Sequence, residues 1–247
     1  MIGIIGFGRF GKLMTGYLAS DYPVKVWNRR DKSEAIRRCG ADPAPLSEVC
    51  KETILIVAVP ISTLRQTLID IGPLLTHGTT VVDVCSVKIY PVQWMEALLP
   101  QDVFILGTHP MFGPDSAADS LLKRKIVLCP VRMKRPLLEK IERYLSSKGL
   151  EVIQTTPEDH DRQIAVSLSL THFIGRSLAE FGAEKLPIDT EGYNRLLHTL
   201  EVVTHDTWQL FEDIHRYNPF AAECRTRLGR AMNSIDERLK GLPPIEP

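Results

Sequence analysis

Through the first 155 residues the apolar positions fall in short unbroken blocks; beyond them the period changes. Ile2–Ile5 is a short apolar run that ends in a glycine turn, Thr53–Val59 is a continuous β-branched run, and Val24–Trp27, Thr79–Val84, Val103–Gly107, Ile126–Cys129 and Leu150–Gln154 read as further strands. Continuous β-branched runs of this kind suit strands covered on both faces. Between them, Lys12–Ser20, Ser33–Cys39, Thr63–Ile69, Val92–Leu99 and Leu137–Lys148 carry helical spacing, with Gly40, Pro100 and Gly149 as stops. Strand and helix alternate with short turns, which predicts an α/β domain: a doubly wound parallel (Rossmann) sheet with right-handed crossovers.

After Thr156 strands are no longer expected. Glu158–Phe181, Thr190–Tyr217 and Ala221–Lys240 are long periodic segments whose starts are marked by Pro157, Pro187 and Pro219. Asp189 or Thr190 can cap the second. We therefore expect a dinucleotide-binding domain over 1–155 and a smaller all-helical substrate and dimerisation domain over 156–247, with 241–247 as a frayed tail. Some 90 residues of helix are marginal alone. Leu196, Leu200, Val203, Trp208, Leu210 and Phe211 supply more apolar surface than three helices easily hide, so a homodimer through this domain is expected. The alternative is that these residues pack on the sheet domain.

Composition narrows the function classes. Lys+Arg and Asp+Glu both total 30, so no overall basic field exists to attract nucleic acid. No apolar run approaches the roughly 18 residues of a membrane span. Met1 leads straight into a strand, so no secretion signal is expected. A cytoplasmic location follows, or a plastid one if a transit peptide has been removed. Cys39, Cys50, Cys85, Cys129 and Cys224 are odd in number and never spaced as CxxC, so they read as reduced and structural. His198, Glu201 and His205 share a helix face, but no further ligand completes a set and no metal is expected.

The chemistry begins at Gly6-Phe7-Gly8-Arg9-Phe10-Gly11, between a strand and a helix. That is the context in which GxGxxG binds a dinucleotide: Gly6 permits the turn, Gly8 admits the pyrophosphate and Gly11 lets helix and strand pack. Arg9, Phe10 and Pro60 join these glycines as expected cofactor contacts. An NAD site carries an acidic residue about 20 positions on. Here Asn28, Arg29 and Arg30 occupy that region, and a hydrogen-bond donor with guanidinium groups suits a 2′-phosphate. The expected cofactor is NADP. Otherwise the two arginines are solvated surface charges.

His109 follows a strand within Thr108–Pro114, at the sheet edge where ligands of open α/β sheets bind. It is the expected acid/base group. Ser86, after the preceding strand, lies at the same edge and can orient the imidazole or bind the reacting alcohol, or is a plain turn serine. Lys88 is either a ligand contact or a surface residue. His172, in mid-helix, is either a core histidine or a substrate contact.

Ser86-Val87-Lys88, Thr108–Pro114, Glu158-Asp159-His160-Asp161-Arg162, Thr171-His172 and Pro187–Tyr193 occur in one order. Together they resemble the prephenate/arogenate dehydrogenases, the plant-type arogenate enzymes above all, from Ile2 to about Asn218. The resemblance implies NADP-dependent oxidative decarboxylation of a cyclohexadienol in tyrosine biosynthesis. His109 would accept the ring-hydroxyl proton as hydride leaves C4, Ser86 would fix His109 and the hydroxyl, and Ser116 and His172 would contact substrate. Asp206 matches the position where the plant-type enzymes choose between the ammonium of arogenate and the ketone of prephenate, so arogenate is expected. The helix arginine that grips a carboxylate in many bacterial prephenate enzymes has no counterpart near Thr199-Leu200-Glu201; Arg195, Arg216 or Arg225 are the substitutes considered. No chorismate mutase or regulatory domain is expected at either end. The competing readings are a hydroxyacid dehydrogenase or imine reductase, which would rely on a lysine or aspartate of the helical domain, and a non-catalytic NADP sensor, which would not need His109, Ser86 and His172 together.

Overall fold

A computed structural model describes residues 1–243 of the chain; 244–247, part of the expected tail, lie outside the described residues. The chain divides into two compact units, Met1–Asp161 and the remainder from Arg162.

The first unit runs β1 (Ile2–Ile5), α1 (Arg9–Ala19), β2 (Val24–Trp27), α2 (Ser33–Arg38), β3 (Asp42–Pro43), α3 (Leu46–Val49), β4 (Ile54–Val57), α4 (Ile61–Ile71), β5 (Thr80–Asp83), α5 (Ile89–Leu98), β6 (Phe104–Pro110), β7 (Lys125–Arg132), α6 (Arg135–Ser147) and β8 (Glu151–Gln154). The eight strands form one sheet in the order β3-β2-β1-β4-β5-β6-β7-β8. Chain order reverses between β1 and β4, and the crevice outside the carboxyl ends of such a pair is where open α/β sheets take ligands. Ile4, Ile56, Val82, Leu106 and Leu128 belong to one buried cluster, against which α1 sets Leu13, Met14 and Tyr17 and α6 sets Leu138, Ile141 and Leu145. Alternate residues Ile5, Leu55, Val57, Val81 and Ile105 are buried as well. Burial on both faces explains the unbroken apolar runs, and each such side chain contributes about 1.5–3 kcal/mol.

The sheet is not wholly parallel. β7 runs antiparallel to β6, with His109 opposite Val127, while β7 and β8 are parallel to each other. The connection 111–124 contains no helix, and a parallel return needs a crossover, usually helical. β6 also continues past Gly107 through Pro110, so His109 lies on the strand rather than after it.

The division between units falls inside α7 (Pro157–Ile164), not at 155/156. His160 and Asp161 hydrogen-bond to His109, Lys88 and Ile89, which keeps the first turn of α7 with the sheet unit.

In the second unit a π-helical turn, Ala165–Ser169, leads into α8 (Leu170–Phe181). α9 (Glu191–Thr204) packs closely on α8 at Gly175, where a Cβ would stand 2.5 Å from a methyl of Val203. The segment expected as one helix over Thr190–Tyr217 is broken at 205–207. There the Thr207 hydroxyl accepts the Leu210 N–H at 3.1 Å and starts α10 (Trp208–Arg216) afresh. α11 (Ala221–Lys240) completes the unit. Of the apolar residues cited above, Val203 is buried, Leu200, Leu210 and Phe211 are half-buried, and Leu196 and Trp208 are exposed. Among the described residues no helix is long and apolar enough to cross a membrane.

Candidate active site

The glycine turn is built by backbone contacts. Gly6 has φ +102°, and a Cβ there would stand 2.3 Å from the Ala58 carbonyl oxygen; a Cβ on Gly11 would stand 2.3 Å from that of Gly6. A Cβ on Gly8 would meet nothing within 4 Å. Gly6 and Gly11 therefore serve the close packing of β1, β4 and α1, while Gly8 leaves an open cradle at the first turn of α1. That helix start has no side-chain cap and no acidic residue in its first turn. A helix start leaves its first N–H groups without intrahelical partners and carries the positive end of the helix dipole, which fits a pyrophosphate.

The neighbouring residues have specific duties. Asn28 accepts the Phe7 N–H at 2.9 Å and donates to the Arg30 carbonyl at 2.8 Å. It braces the glycine turn against the end of β2, with only one amide hydrogen left for a ligand. Asp31 accepts both the N–H and the hydroxyl of Ser33, so the nearest acid is turned to the start of α2. Arg29 and Arg30 are exposed and enter no ion pair among the described residues. A polar cavity of about 260 Å³ lies here, lined by Asn28, Asp31, Lys32, Ser33 and Arg37 among others. Arg9 Nη2 donates to both carboxylate oxygens of Asp115, at 2.7 and 2.9 Å, which ties the glycine turn to the loop after β6. Phe10 sits 6.2 Å from Phe112, ring to ring, and Pro60 is the exposed residue that starts α4.

His109 is held from two sides. Beneath it, Lys88 and Asp83 form an ion pair with both side chains fully buried, and Lys88 Nζ also donates to the Thr108 carbonyl at 2.5 Å. The Thr108 hydroxyl donates to the Asp83 carbonyl at 2.6 Å. These bonds fix the backbone just ahead of His109. Lys88 is thus neither a ligand contact nor a surface residue but a brace between β5 and β6. Beside it, His109 Nδ1 lies 2.9 Å from His160 Nε2, and His160 Nδ1 lies 2.8 Å from an oxygen of Asp161. The His109 ring bonds to His160, not to Ser86, which is half-buried in the loop between β5 and α5.

The carboxylate assigns the tautomers. Asp161 can only accept from His160 Nδ1–H, so His160 Nε2 accepts from His109 Nδ1–H, and the lone pair of His109 is left on Nε2. Burial, the neighbouring His160 and the Lys88 ammonium all push the His109 pKa well below the usual imidazole range, burial most. That direction favours the neutral imidazole. Burial also lowers His160, although the Asp161 bond opposes it.

Ser116 is exposed and closed on its own turn: its hydroxyl accepts the Gly113 N–H at 3.1 Å. In the helical unit His172 and Asp206 come together. His172 is buried, its Nε2 stands 3.8 Å from Asp206, and its Nδ1 has no hydrogen-bond partner. Burial lowers its pKa and Asp206 opposes this. Arg176 donates to the Asp206 carbonyl at 2.6 Å and lies over the Trp208 ring, fixing the loop that carries the carboxylate. Of the arginines considered as carboxylate anchors, Arg225 bonds His215 at 2.7 Å and Arg195 pairs with Glu191 on an exposed helix face. His198 and Glu201 stand exposed, and among the described residues no group of three His, Cys, Asp or Glu side chains gathers as a metal site would require.

Sequence reasoning quoted Thr108 and the His160-Asp161 pair within motifs but placed neither them nor Asp83 around His109. Two adjacent polar residues at the start of an amphipathic helix were the available signal.

Residues 28–154 match the family model for the prephenate dehydrogenase nucleotide-binding domain, and residues 177–243 match one for a TYRAAT1-like C-terminal domain. The chain is 33% identical to the chloroplastic arogenate dehydrogenase 2 of Arabidopsis thaliana, over 97% of this chain and 70% of the relative. It is 31% identical to arogenate dehydrogenase 1 of the same plant, over 97% of this chain, but spans only 39% of that protein's length. The crystal structure of Synechocystis arogenate dehydrogenase superposes with a TM-score of 0.71 at 22% identity, over 96% of this chain and 92% of that one.

Proposed function

From a chain that belongs to the prephenate/arogenate dehydrogenase family, we infer an NADP-dependent oxidative decarboxylation of arogenate to tyrosine, with His109 as the proton acceptor. The observation that carries this reading is the His109 imidazole, buried on β6 with its Nδ1 held 2.9 Å from His160 Nε2, which is in turn bonded to Asp161.

A nicotinamide dinucleotide held at the glycine turn supplies the hydride acceptor. Gly8 and the start of α1 take its pyrophosphate, with Phe10 and Pro60 beside them, and Arg29 and Arg30 take the 2′-phosphate of NADP. His109 Nε2 accepts the proton of the ring hydroxyl as hydride leaves the carbon that bears it. Loss of CO₂ then restores the aromatic ring and draws the reaction forward. Ser86 is assigned to the reacting hydroxyl and Ser116 to substrate. His172 is assigned to the substrate and Asp206 to its ammonium. A carboxylate pairs with the ammonium of arogenate, whereas the ketone of prephenate leaves it unpaired. Exposed apolar residues of the helical unit, Phe181 (82%) and Ile188 (92%) with Leu196 and Trp208, support a homodimer through that unit.

Turnover of arogenate and of prephenate, each with NADP and with NAD, tests the reading. Arogenate with NADP is the expected pair, and Asp206→Asn should move the ratio of kcat/KM values toward prephenate. An unchanged ratio removes Asp206 from the specificity argument.

A further inference from the structure

His109 must accept a proton where a positive charge is poorly solvated. Its side chain is buried, and the nearest cation is the ammonium of Lys88. Lys88 is already paired with Asp83. Asp161 is different. It accepts the N–H groups of Lys88 and Ile89, at 2.7 and 2.9 Å, at the start of α5, and in addition bonds to His160. The start of a helix is a favourable place for a carboxylate. His160 joins this anion to His109 through two hydrogen bonds, and both links are buried.

We propose that His160 and Asp161 are positioning residues for His109: they fix its reactive tautomer and share the proton it takes from the substrate. This rests on the reading of His109 as the base. As the substrate O–H bond breaks, its proton binds His109 Nε2. The proton on His109 Nδ1 passes to His160 Nε2 along the 2.9 Å contact. His109 is then neutral again in the opposite tautomer, and His160 is an imidazolium whose Nδ1–H still bonds Asp161. No charge is created beyond the one proton accepted, and it comes to rest on a ring hydrogen-bonded to the Asp161 carboxylate. Charged and titratable groups facing the pair are Lys88 on the α5 side, Asp83 on β5 and Asp161 on α7. Lys88 opposes the imidazolium, and Asp161 and Asp83 favour it.

The first test needs no variant and no substrate. In the full chain, the ¹⁵N ring signals of His109 should show a protonated Nδ1 and an unprotonated Nε2. The reverse assignment overturns the proposal. The second test compares two substitutions. His160→Phe removes the acceptor, so the His109 tautomer should no longer be held and kcat should fall by about 10- to 100-fold with little change in KM. His160→Gln keeps an oxygen that can accept from Nδ1–H but cannot take up the proton. It should keep the tautomer, lose part of kcat and move the acid limb of the kcat/KM profile to lower pH. Unchanged tautomer and unchanged kcat in His160→Phe overturn the proposal. Failure of the wider reading looks different: His109→Asn would then retain turnover, whatever the tautomer of the wild-type ring.

Discussion

Lys88 and Asp83 form an ion pair in which neither side chain reaches solvent, and the same ammonium holds the carbonyl of the residue before His109. Removing one member strands the other. Lys88→Met should leave the Asp83 carboxylate buried with only the Cys85 N–H at 2.9 Å to satisfy it. We expect a loss of about 3–5 kcal/mol, read from denaturant unfolding. The double variant Lys88→Met/Asp83→Leu should recover most of it, because no lone charge remains. Equal losses in the single and double variants would show that the pair is not the source of the effect.

The glycines separate fold from binding. Gly11→Ala drives a methyl to 2.3 Å from the Gly6 carbonyl, so it should lower the melting temperature by several degrees. Gly8→Ala meets open space and should leave the melting temperature where it is, while weakening dinucleotide affinity by about tenfold or more. A Gly8→Ala protein that binds normally would remove the cradle from the cofactor site.

Much of this was legible before any coordinates. The strand–GxGxxG–helix order located the cradle because the packing that demands Gly6 and Gly11 is local. His109 was legible because it sits in a motif at a strand end. Tertiary context decided the remainder. Nothing in a single sequence separates a buried Lys88 from an exposed one, since burial depends on Asp83 five residues back and Thr108 twenty residues on. The reversal of β7 was hidden because run length and composition do not encode strand direction. Thr207, a good N-cap in retrospect, was masked by apolar spacing that continues across it. Asn28 was read as a ligand donor; that its amide also spans from Phe7 to Arg30 is a contact set by the turn geometry.

On the proposed NADP reading, cofactor choice rests on the charge at the end of β2. Arg29→Ala/Arg30→Ala should raise the KM for NADP by about ten- to a hundredfold, the worth of one or two charge-assisted hydrogen bonds, and leave the KM for NAD nearly unchanged. Equal changes for both dinucleotides would show that these arginines do not read the 2′-phosphate.

The buried histidines predict a pH dependence of stability. Folding lowers the His109 and His160 pKa values from an ordinary 6.5. Below that pH the unfolded chain binds protons that the folded chain does not. Their contribution is therefore complete above 6.5 and is lost as pH falls through the folded-state values. Each histidine sets a slope of at most about 1.4 kcal/mol per pH unit. Unfolding free energy measured between neutral pH and about pH 5.5 should fall, and His109→Asn should flatten the curve. A wild-type curve that is level over this range contradicts the neutral, buried assignment.

The most direct test is the turnover of His109→Asn with arogenate and NADP, measured beside its NADP affinity. Asparagine keeps the volume and a donor but cannot accept the proton at neutral pH. The account predicts an unchanged Kd for NADP and a kcat lower by about 10²–10⁴-fold. Turnover near the wild-type rate, with NADP still bound, would contradict it.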